Sequence, residues 1–326
     1  MGERKVFRMK KFFAALLTLV LALSLASCAL AGEPVRLAAL KGPTAMGLVQ
    51  LLDTHSEEYD FLLAGSADEI TPKLVQGQID IASVPVNLAS VLYNRTEGGV
   101  QLIAINTLGV LYIVEKGGET VNSIEDLKGK TIYATGKGST PEYALAYLLS
   151  SHGLDINADV DMQWKSEPTE VVPLMKQADA AVAMLPQPYV TVAGAQVEGL
   201  RVALNLTEEW DKLGTDSRFI TSGILVRKAF AREHPDQVAA FLEQFAASAA
   251  YANEHVEETA ELIEKYDIVK AAVAKKALPQ CNIVCITGAG MQPALDGYLQ
   301  TLYDLNPASV GGKLPEADFY YGNESK

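Results

Sequence analysis

The sequence of 326 residues contains few of the residue types from which catalytic and metal sites are usually built. It has four histidines, three cysteines and two tryptophans. The histidines all fall on or beside predicted helices, at His55, His152, His234 and His255. The motifs His-Glu-x-x-His, Gly-x-Ser-x-Gly and Gly-x-x-x-x-Gly-Lys-Ser/Thr are absent. These absences argue against an enzyme, and we expect neither a metal site nor a cofactor.

Cysteine is too scarce for a disulfide framework. Apart from Cys28, only Cys281 and Cys285 are present, and no metal-ligand spacing surrounds them. If their segment is a strand, the two side chains share one face about 13 Å apart, which is beyond the reach of a disulfide bond. A helical or turned segment would bring them closer, so two buried thiols and one disulfide bond are both open interpretations.

Basic residues are also in short supply. The chain has 27 Lys and Arg against 40 Asp and Glu, which gives a formal charge of −13. Residues 1–27 hold five of the basic residues and one acidic residue, so the remainder has 22 against 39 and a charge of −17. Such a body repels phosphate backbones and anionic lipid. We therefore expect proteins or small solutes as partners, and no nucleic acid.

Long apolar runs are missing after the first thirty residues. The early run, residues 12–25, follows two lysines and is too short for a comfortable transmembrane helix. This layout is typical of a secretory signal. Either Met1 or Met9 can start translation.

The signal ends in a sequence that resembles a lipobox. Residues 25–28 read Leu-Ala-Ser-Cys, which predicts a lipoprotein signal peptide at residues 1–27 and acylation of Cys28, with residues 28–33 as anchor and linker. Acyl chains that contribute about 0.8 kcal/mol per buried CH₂ hold a soluble body on a membrane without spanning it. The alternative is an unlipidated signal that is cut at the Ala-Leu-Ala of residues 29–31.

Segments of strand length alternate with helical patterns along the rest of the chain. Strands are predicted at residues 35–40, 59–64, 79–84, 100–105, 131–134, 160–164, 180–185 and 219–226. The turns between strands and helices are short and rich in Gly and Pro. Residues 235–303 are predicted to be mostly helical, apart from 283–286. This alternation predicts an α/β fold in which parallel sheets carry helices on both faces.

Two extended segments, at residues 108–114 and 219–226, flank the middle of the chain. We interpret them as crossings between two lobes. Lobe 1 would then contain residues 34–113 plus 224–326, and lobe 2 residues 114–223. Two crossings allow hinge motion between lobes that each keep their own core.

The carboxyl ends of the predicted strands indicate where a ligand would bind. In open parallel sheets, ligands bind beyond these ends, where loops and helix N-termini meet. Four loops follow such ends, and the strand ends near residues 107 and 167 are secondary candidates. The predicted ligand-binding residues are Lys41, Gly42, Pro43, Thr44, Pro85, Asn87, Thr107, Gly138, Ser139, Thr140, Glu167, Pro186, Gln187 and Pro188.

Several of these residues have a second interpretation. The Gly-Lys-Gly-Ser-Thr loop offers backbone N–H groups, hydroxyls and a helix N-terminus to an anionic or polar group, but it also suits an ordinary helix start with Ser139 or Thr140 as N-cap. Lys41 is either a charge partner in the cleft or a solvated lysine. Asn87 is either a ligand donor or an N-cap. Glu167 either binds an amine or ring N–H or is a surface carboxylate.

Five motifs together resemble a known family. They read Ala-Leu-Lys-Gly-Pro-Thr (39–44), Ile-Asp-Ile-Ala-Ser-Val-Pro-Val-Asn-Leu-Ala (79–89), Asn-Thr-Leu-Gly-Val-Leu-Tyr (106–112), Leu-Lys-Gly-Lys-Thr-Ile-Tyr-Ala-Thr-Gly-Lys-Gly-Ser-Thr-Pro-Glu-Tyr (127–143) and Ala-Met-Leu-Pro-Gln-Pro-Tyr (183–189). They are similar to ABC transporter substrate-binding proteins of the nitrate, sulfonate, taurine and thiamine-pyrimidine-precursor type. The resemblance covers nearly all of the mature chain. It implies a type II periplasmic-binding-protein fold, in which two lobes, each a mostly parallel sheet flanked by helices, are joined by two crossing strands.

The resemblance also implies partners and a location. It predicts a small-molecule solute held between the lobes, a cognate ABC permease and its ATPase, and a monomer that is exported and held at the cell membrane by its lipid anchor only, facing the outside or the periplasm. It does not fix the ligand, because related subgroups bind unlike molecules. A sensor or structural lipoprotein of the same fold is one alternative. An enzyme of the pyrimidine-synthesis type, which shares the fold, is another.

Overall fold

Strands and helices alternate along the chain as the sequence predicts. The computed structural model describes residues 33–322, so the predicted signal peptide and Cys28 lie outside the described residues. The strands are β1 (Val35–Leu40), β2 (Tyr59–Ala64), β3 (Ile81–Pro85), β4 (Val100–Leu108), β5 (Leu111–Lys116), β6 (Thr131–Thr135), β7 (Asp161–Lys165), β8 (Ala181–Pro186), β9 (Leu200–Asn205), β10 (Ile220–Arg227) and β11 (Ile283–Ile286). The α-helices are α1 (Pro43–Met46), α2 (Val49–Thr54), α3 (Ala67–Val75), α4 (Val86–Arg95), α5 (Thr140–Ser151), α6 (Pro168–Gln177), α7 (Tyr189–Gln196), α8 (Leu206–Asp211), α9 (Lys228–Glu233), α10 (Pro235–Glu254), α11 (Val256–Lys265), α12 (Ala271–Ala277) and α13 (Met291–Leu305).

The first sheet, sheet A, has the strand order β11-β4-β10-β3-β1-β2. β1 pairs in parallel with β2 and β3, whereas β10 pairs antiparallel with β3 and β4, and β11 antiparallel with β4. β1 to β4 therefore run in one direction, and β10 and β11 run in the other. A parallel sheet was predicted, and β1 to β4 do share one direction. The sheet is nevertheless mixed, because the antiparallel strand β10 lies between β3 and β4.

The second sheet, sheet B, has the strand order β7-β6-β8-β5-β9. β6 pairs in parallel with β7 and β8, whereas β5 pairs antiparallel with β8 and β9. β6 to β9 therefore share one direction, and β5 runs against them. Each sheet thus contains one strand, β10 or β5, that enters it directly from a crossing and runs against its neighbours.

The chain passes between the sheets twice. β4 ends at Leu108 in sheet A, and β5 begins at Leu111 in sheet B. The chain returns after α8, which ends at Asp211, to β10, which begins at Ile220. The fold is therefore a two-lobed α/β arrangement with two crossing segments, as the sequence predicts.

Helices cover both faces of sheet A. Along β1, the side chains of Val35, Leu37 and Ala39 belong to one buried apolar cluster, and Ala38 belongs to another on the opposite face. A strand that is buried on both faces needs apolar residues at successive positions rather than in strict alternation. This explains why the strand sequences read as continuous apolar runs.

The first helical segment is broken where the sequence pattern is continuous. A single helix is predicted from residue 45 to about residue 55, but α1 ends at Met46 and α2 begins at Val49. The Ser248 hydroxyl donates to the Gly47 carbonyl at 2.7 Å and accepts from the Leu51 N–H at 3.1 Å. Because residues 47 and 51 would bond each other in an intact helix, the inserted hydroxyl from α10 accounts for the break.

The apolar core is shared between the two sheets. Trp210, Tyr147, Phe219 and Tyr298 pack ring against ring with centroid separations of 4.5 to 6.2 Å. They connect α5 and α8 of the middle segment with α13 of the C-terminal segment. The buried cluster around them contains residues of both sheets. The expectation that each lobe keeps a separate core is therefore wrong on this side of the molecule.

Cys281 and Cys285 are free thiols. Cys281 is buried just before β11, and Cys285 is half-buried within β11. Burial raises the pKa of Cys281 to about 12. The sequence left open two thiols or one disulfide bond, and in the structure the two cysteines are unpaired thiols. In residues 33–322, no helix is both long enough and apolar enough to cross a membrane.

Candidate functional site

A cavity of about 660 Å³ lies between the carboxyl ends of strands from the two sheets. Its wall combines loops that follow β1, β2, β3, β6, β7 and β8 with the start of β10. The lining residues are Leu40, Lys41, Pro43, Thr44, Gly65, Ser66, Ala67, Asp68, Pro85, Leu88, Val110, Leu111, Thr135, Gly136, Lys137, Gly138, Ser139, Pro141, Trp164, Lys165, Ser166, Pro168, Pro186, Thr221 and Ser222. The location matches the rule that ligands bind where parallel strands end.

Sheet A contributes the loop between β1 and α1. The Thr44 hydroxyl donates to the Leu40 carbonyl at 2.6 Å, which fixes the loop against the strand that precedes it. Lys41 lies 3.6 Å from Asp267, a fully exposed carboxylate, while it also lines the cavity. Since a surface ion pair of this kind contributes little energy, the Lys41 ammonium group remains available to a ligand.

Sheet B contributes the loop between β6 and α5. Gly136 and Gly138 have φ values of 83° and 74°, a left-handed conformation that glycine adopts without strain. The Ser139 hydroxyl donates to the Gly136 carbonyl at 2.8 Å, and Ser139 is the N-cap residue of α5. Glu142 accepts a hydrogen bond from the Gly138 N–H at 2.5 Å.

These internal bonds change what the loop offers to a ligand. The N–H groups of Gly138 and Ser139 both donate within the loop and its helix. The sequence suggested free backbone N–H groups at this place, and for these two residues that expectation is wrong. The lining residues of this loop with polar side chains are Thr135, Lys137 and Ser139, and of these only Lys137 is exposed.

The cavity wall is positively charged although the chain as a whole is acidic. Its charged residues are Lys41, Lys137, Lys165 and Asp68. Within the described part of the chain, neither Lys137 nor Lys165 has a carboxylate within ion-pair distance. Unpaired ammonium groups in a concave site favour an anionic group as their partner.

The wall also has a broad apolar part. Trp164, half-buried at the end of β7, lies among five prolines and the side chains of Leu40, Leu88 and Leu111. Apolar and aromatic walls with a few polar groups are typical of small-molecule pockets. The site therefore suits a molecule with an anionic end and an apolar body.

Half of the residues that the sequence assigned to the ligand line this cavity. The structure brings together Lys41, Pro43, Thr44, Pro85, Gly138, Ser139 and Pro186. It leaves out of the lining Gly42, Asn87, Thr107, Thr140, Glu167, Gln187 and Pro188. Four of these, Asn87, Thr107, Thr140 and Gln187, are almost completely buried.

For two residues outside the lining, Asn87 and Glu167, the sequence left two roles open, and the structure gives each of them a different, third role. Asn87 is not an N-cap, because α4 begins after Pro85; its side chain instead donates to the Ser309 carbonyl at 3.0 Å. Glu167 is the N-cap residue of α6, and its N–H donates to Glu170 at 2.9 Å. Capping residues of this kind stabilise a helix start.

The sequence interpretation missed several lining residues. Ser66 and Asp68 follow β2, and Trp164 and Lys165 end β7, so the rule of carboxyl strand ends would have found them. Thr221 could not be found in this way, because β10 runs against its neighbours and its beginning, not its end, lies at this edge.

The described residues contain no cluster of His, Cys, Asp and Glu that could hold a metal ion. Each histidine is instead the C-cap residue of a helix: His55, His152, His234 and His255 follow α2, α5, α9 and α10. Imidazole groups at helix C-termini interact favourably with the helix dipole when protonated.

Comparisons with known proteins agree with this geometry. Residues 99–259 match the family model described as NMT1/THI5 like. An ABC transporter structure from Parabacteroides distasonis is 22% identical, with 89% of this chain and 99% of that chain covered and a TM-score of 0.74. No curated protein sequence gives a significant match.

Two further solved structures are similar in fold. The periplasmic aliphatic sulphonate binding protein SsuA from Escherichia coli is 19% identical, with 87% and 92% of the chains covered and a TM-score of 0.67. The periplasmic nitrate-binding protein NrtA from Synechocystis is 15% identical, with 74% and 68% covered and a TM-score of 0.58. The resemblance seen in the sequence is thereby confirmed: residues 99–259 match the NMT1/THI5-like family model, and the chain has the type II periplasmic-binding-protein fold.

Proposed function

We propose that this protein is the extracytoplasmic solute-binding receptor of an ABC importer, which captures a small solute between its lobes for delivery to a permease and its ATPase. One observation carries the proposal. The cavity takes its wall from strand ends of both sheets, so a molecule held there contacts both lobes at once. A ligand that makes more contacts when the lobes are closed than when they are open stabilises the closed arrangement by that difference in binding free energy.

The wall chemistry favours an organic anion as the solute. Lys137 and Lys165 supply positive charge, and Trp164 and the proline-rich wall supply apolar contact. A volume of about 660 Å³ lies in the range of pockets that enclose drug-sized molecules. A bare inorganic anion would leave most of this volume unfilled. From the sequence prediction, Lys41, Thr44 and Ser139 are the polar residues that we assign to the ligand.

We place the lobes near the boundaries that the sequence predicts. Lobe 1 would contain residues 34–113 plus 224–326, and lobe 2 residues 114–223. The strand pairing supports moving each boundary into the crossing that precedes it, because the start of β5 pairs in sheet B and the start of β10 pairs in sheet A. The crossings would then act as the hinge.

The protein is proposed to be a lipoprotein that binds its solute without turnover and acts as a monomer. The lipobox that ends at Cys28 supports the anchor, which would hold the body on the outer or periplasmic side of the membrane. Two of the solved structures with a similar fold are named as binding proteins for a sulphonate and for nitrate, which supports binding without chemistry. A solute that is recovered chemically unchanged after incubation is the expected result.

Thermal-shift and native mass-spectrometric screens test the proposal. Aliphatic and aromatic sulfonates and carboxylates should raise the melting temperature, because a ligand that binds only the folded state stabilises it. Neutral amides of the same size and nitrate should do so much less. Pyrimidines and amino acids complete the screen. Absence of binding by every class, or a ligand found outside the cavity, would contradict the receptor function.

A matched pair of lysine variants tests the site. Lys165→Gln removes a positive charge from the wall, whereas Lys176→Gln removes one from the exposed end of α6. Loss of a hydrogen bond to a charged group costs about 1.5 to 3 kcal/mol, so Lys165→Gln should weaken binding of the best anion from the screen about ten- to a hundredfold. Isothermal titration calorimetry should show unchanged affinity for Lys176→Gln. Equal affinities for both variants would remove Lys165 from the site.

A further inference from the structure

Three residues that the sequence assigned to the ligand instead connect the two lobes behind the cavity wall. Asn87, Thr140 and Gln187 are at most 1% exposed. Each lies within two residues of a lining residue: Pro85, Ser139 and Pro186, respectively. Their side chains are therefore next to the site without facing it.

The first connection joins α4 of lobe 1 to α5 of lobe 2. The Thr140 hydroxyl donates to Asn87 Oδ1 at 3.2 Å, and both groups are buried. Asn87 Nδ2 donates to the Ser309 carbonyl at 3.0 Å. Since a carbonyl can only accept, this bond fixes the orientation of the Asn87 amide and leaves its oxygen for Thr140.

The second connection joins the segment between β8 and α7 in lobe 2 to the turn after α12 in lobe 1. Gln187 Nε2 donates to Gln280 Oε1 at 2.8 Å. On its other side, Gln187 Oε1 accepts from the Thr191 hydroxyl at 2.9 Å, a bond that stays within lobe 2. The Gln187 N–H donates to the Val110 carbonyl at 3.0 Å, which ties it to the first crossing.

The two connections involve different helices of each lobe. α4 and α5 hold the first, and the segment before α7 and the turn after α12 hold the second. A rotation that separates both pairs of residues breaks both bonds. The exposed Gln280 can then bond to water, but the buried Asn87, Thr140 and Gln187 lose their partners. Such a loss is unfavourable in free energy.

We propose that the Asn87–Thr140 and Gln187–Gln280 hydrogen bonds are interlobe latches that hold the wall residues of the two lobes in register and bias the lobes toward the closed arrangement. This inference rests on the proposed two-lobed receptor. The latch residues are positioning residues: they act through Ser139, Pro186 and Pro85, which line the cavity. Because the fraction of competent protein scales the apparent affinity, breaking a latch weakens binding without removing a ligand contact.

Thiol labelling tests the latches without any solute. Thr140→Cys places a thiol of similar size at the buried lobe interface, where its alkylation by iodoacetamide follows the population of the open arrangement. Peptide mass spectrometry separates this thiol from the native cysteines. Adding Gln280→Ala, which breaks the other latch, should speed labelling at residue 140 about two- to tenfold, the range expected for one net hydrogen bond.

The matched control is Thr191→Val in the same Thr140→Cys background. It removes the other side-chain hydrogen bond of Gln187, but that bond lies within lobe 2. Its labelling rate at residue 140 should equal that of the parent. The melting temperature of each variant shows whether lost global stability explains faster labelling.

Either of two results overturns the proposal. One is a labelling rate at residue 140 that Gln280→Ala leaves unchanged. The other is faster labelling at residue 140 without a specific effect of the latch. This would be seen as equal labelling rates for Gln280→Ala and Thr191→Val, or as an increase in rate that the fall in global stability accounts for, and either pattern shows a purely structural role. Neither result depends on a solute, so failure of the latches and failure of the receptor function are distinguishable.

Discussion

Asp80 connects three strands of sheet A at the strand ends that lie away from the cavity. Its carboxylate, 2% exposed, accepts hydrogen bonds from Arg36 Nε at 2.8 Å, from Arg36 Nη2 at 2.6 Å and from Arg227 Nη2 at 2.5 Å. These residues belong to β1, β10 and the segment before β3. Burial raises the pKa of Asp80, but the hydrogen bonds from Arg36 and Arg227 outweigh it and keep the pKa below its usual value.

Asp80→Ala removes the buried carboxylate that Arg36 and Arg227 both contact. Breaking a buried ion pair in this way costs about 3 to 5 kcal/mol. The Arg36 side chain is 41% exposed and can turn toward water, so we expect the lower end, about 3 kcal/mol. For a chain of this length, 1 kcal/mol corresponds to about 2 °C in melting temperature. The variant should therefore melt about 6 °C lower at pH 7.

The pH dependence supplies a second readout. A carboxylate with a lowered native pKa contributes stability that is complete above its unfolded pKa of about 4 and is lost as pH falls through the native pKa. The difference in melting temperature between wild type and Asp80→Ala, followed by circular dichroism, should be constant from pH 7 to pH 5 and shrink below pH 4.

The control is Asp179→Ala, which removes an exposed aspartate whose side chain makes no hydrogen bond or ion pair within residues 33–322. It should change stability by less than about 0.5 kcal/mol. The reasoning is refuted if Asp80→Ala melts within 1 °C of wild type at pH 7, or if its deficit persists undiminished down to pH 2.

Three further predictions concern other parts of the chain. Cys28→Ser should release the protein from the membrane fraction into the medium or periplasm, and a variant that stays bound without detergent contradicts lipidation. Tyr298→Phe should change the melting temperature by no more than about 2 °C, because the buried Tyr298 hydroxyl has only the Thr140 hydroxyl in reach among the described residues, and that hydroxyl already donates to Asn87; a fall of several degrees would reveal a stronger partner. Cys281, buried and with a pKa raised to about 12, should resist iodoacetamide at pH 8 in the native protein and react only on unfolding, and rapid native labelling would contradict its burial.

Most strands were predictable, including the edge strands β2, β7 and β11, but the edge strand β9 was not. β1 and β2 have the bounds that their apolar runs predict. β9 carries Arg201 and is only partly buried at the edge of sheet B, so its sequence shows neither a continuous apolar run nor an alternation. Arg201 forms an ion pair with Glu115 of β5, which lies 86 positions away along the chain. The sequence alone does not show that these two residues pair.

The site was predictable to the level of loops but not of side chains. Strand ends located the loops that contain Lys41 and Ser139, because parallel strands end at one edge. Adjacent residues in the same loop face different surroundings: Ser139 lines the cavity, whereas Thr140 points to Asn87 of the other lobe. That difference depends on how the lobes pack, which no local pattern encodes.

The strand order of the two sheets has a consequence for the assembly of the chain. Sheet B uses an uninterrupted stretch from Leu111 to Asn205, whereas sheet A needs β10 between β3 and β4, and α4 needs the carbonyl of Ser309, 222 positions after Asn87. Such high contact order slows folding. When the chain emerges N-terminus first, β3 and β4 wait with unpaired apolar edges until residue 220 arrives. Unpaired strand edges can pair with other chains, so these edges expose the unfinished chain to aggregation until β10 docks between them.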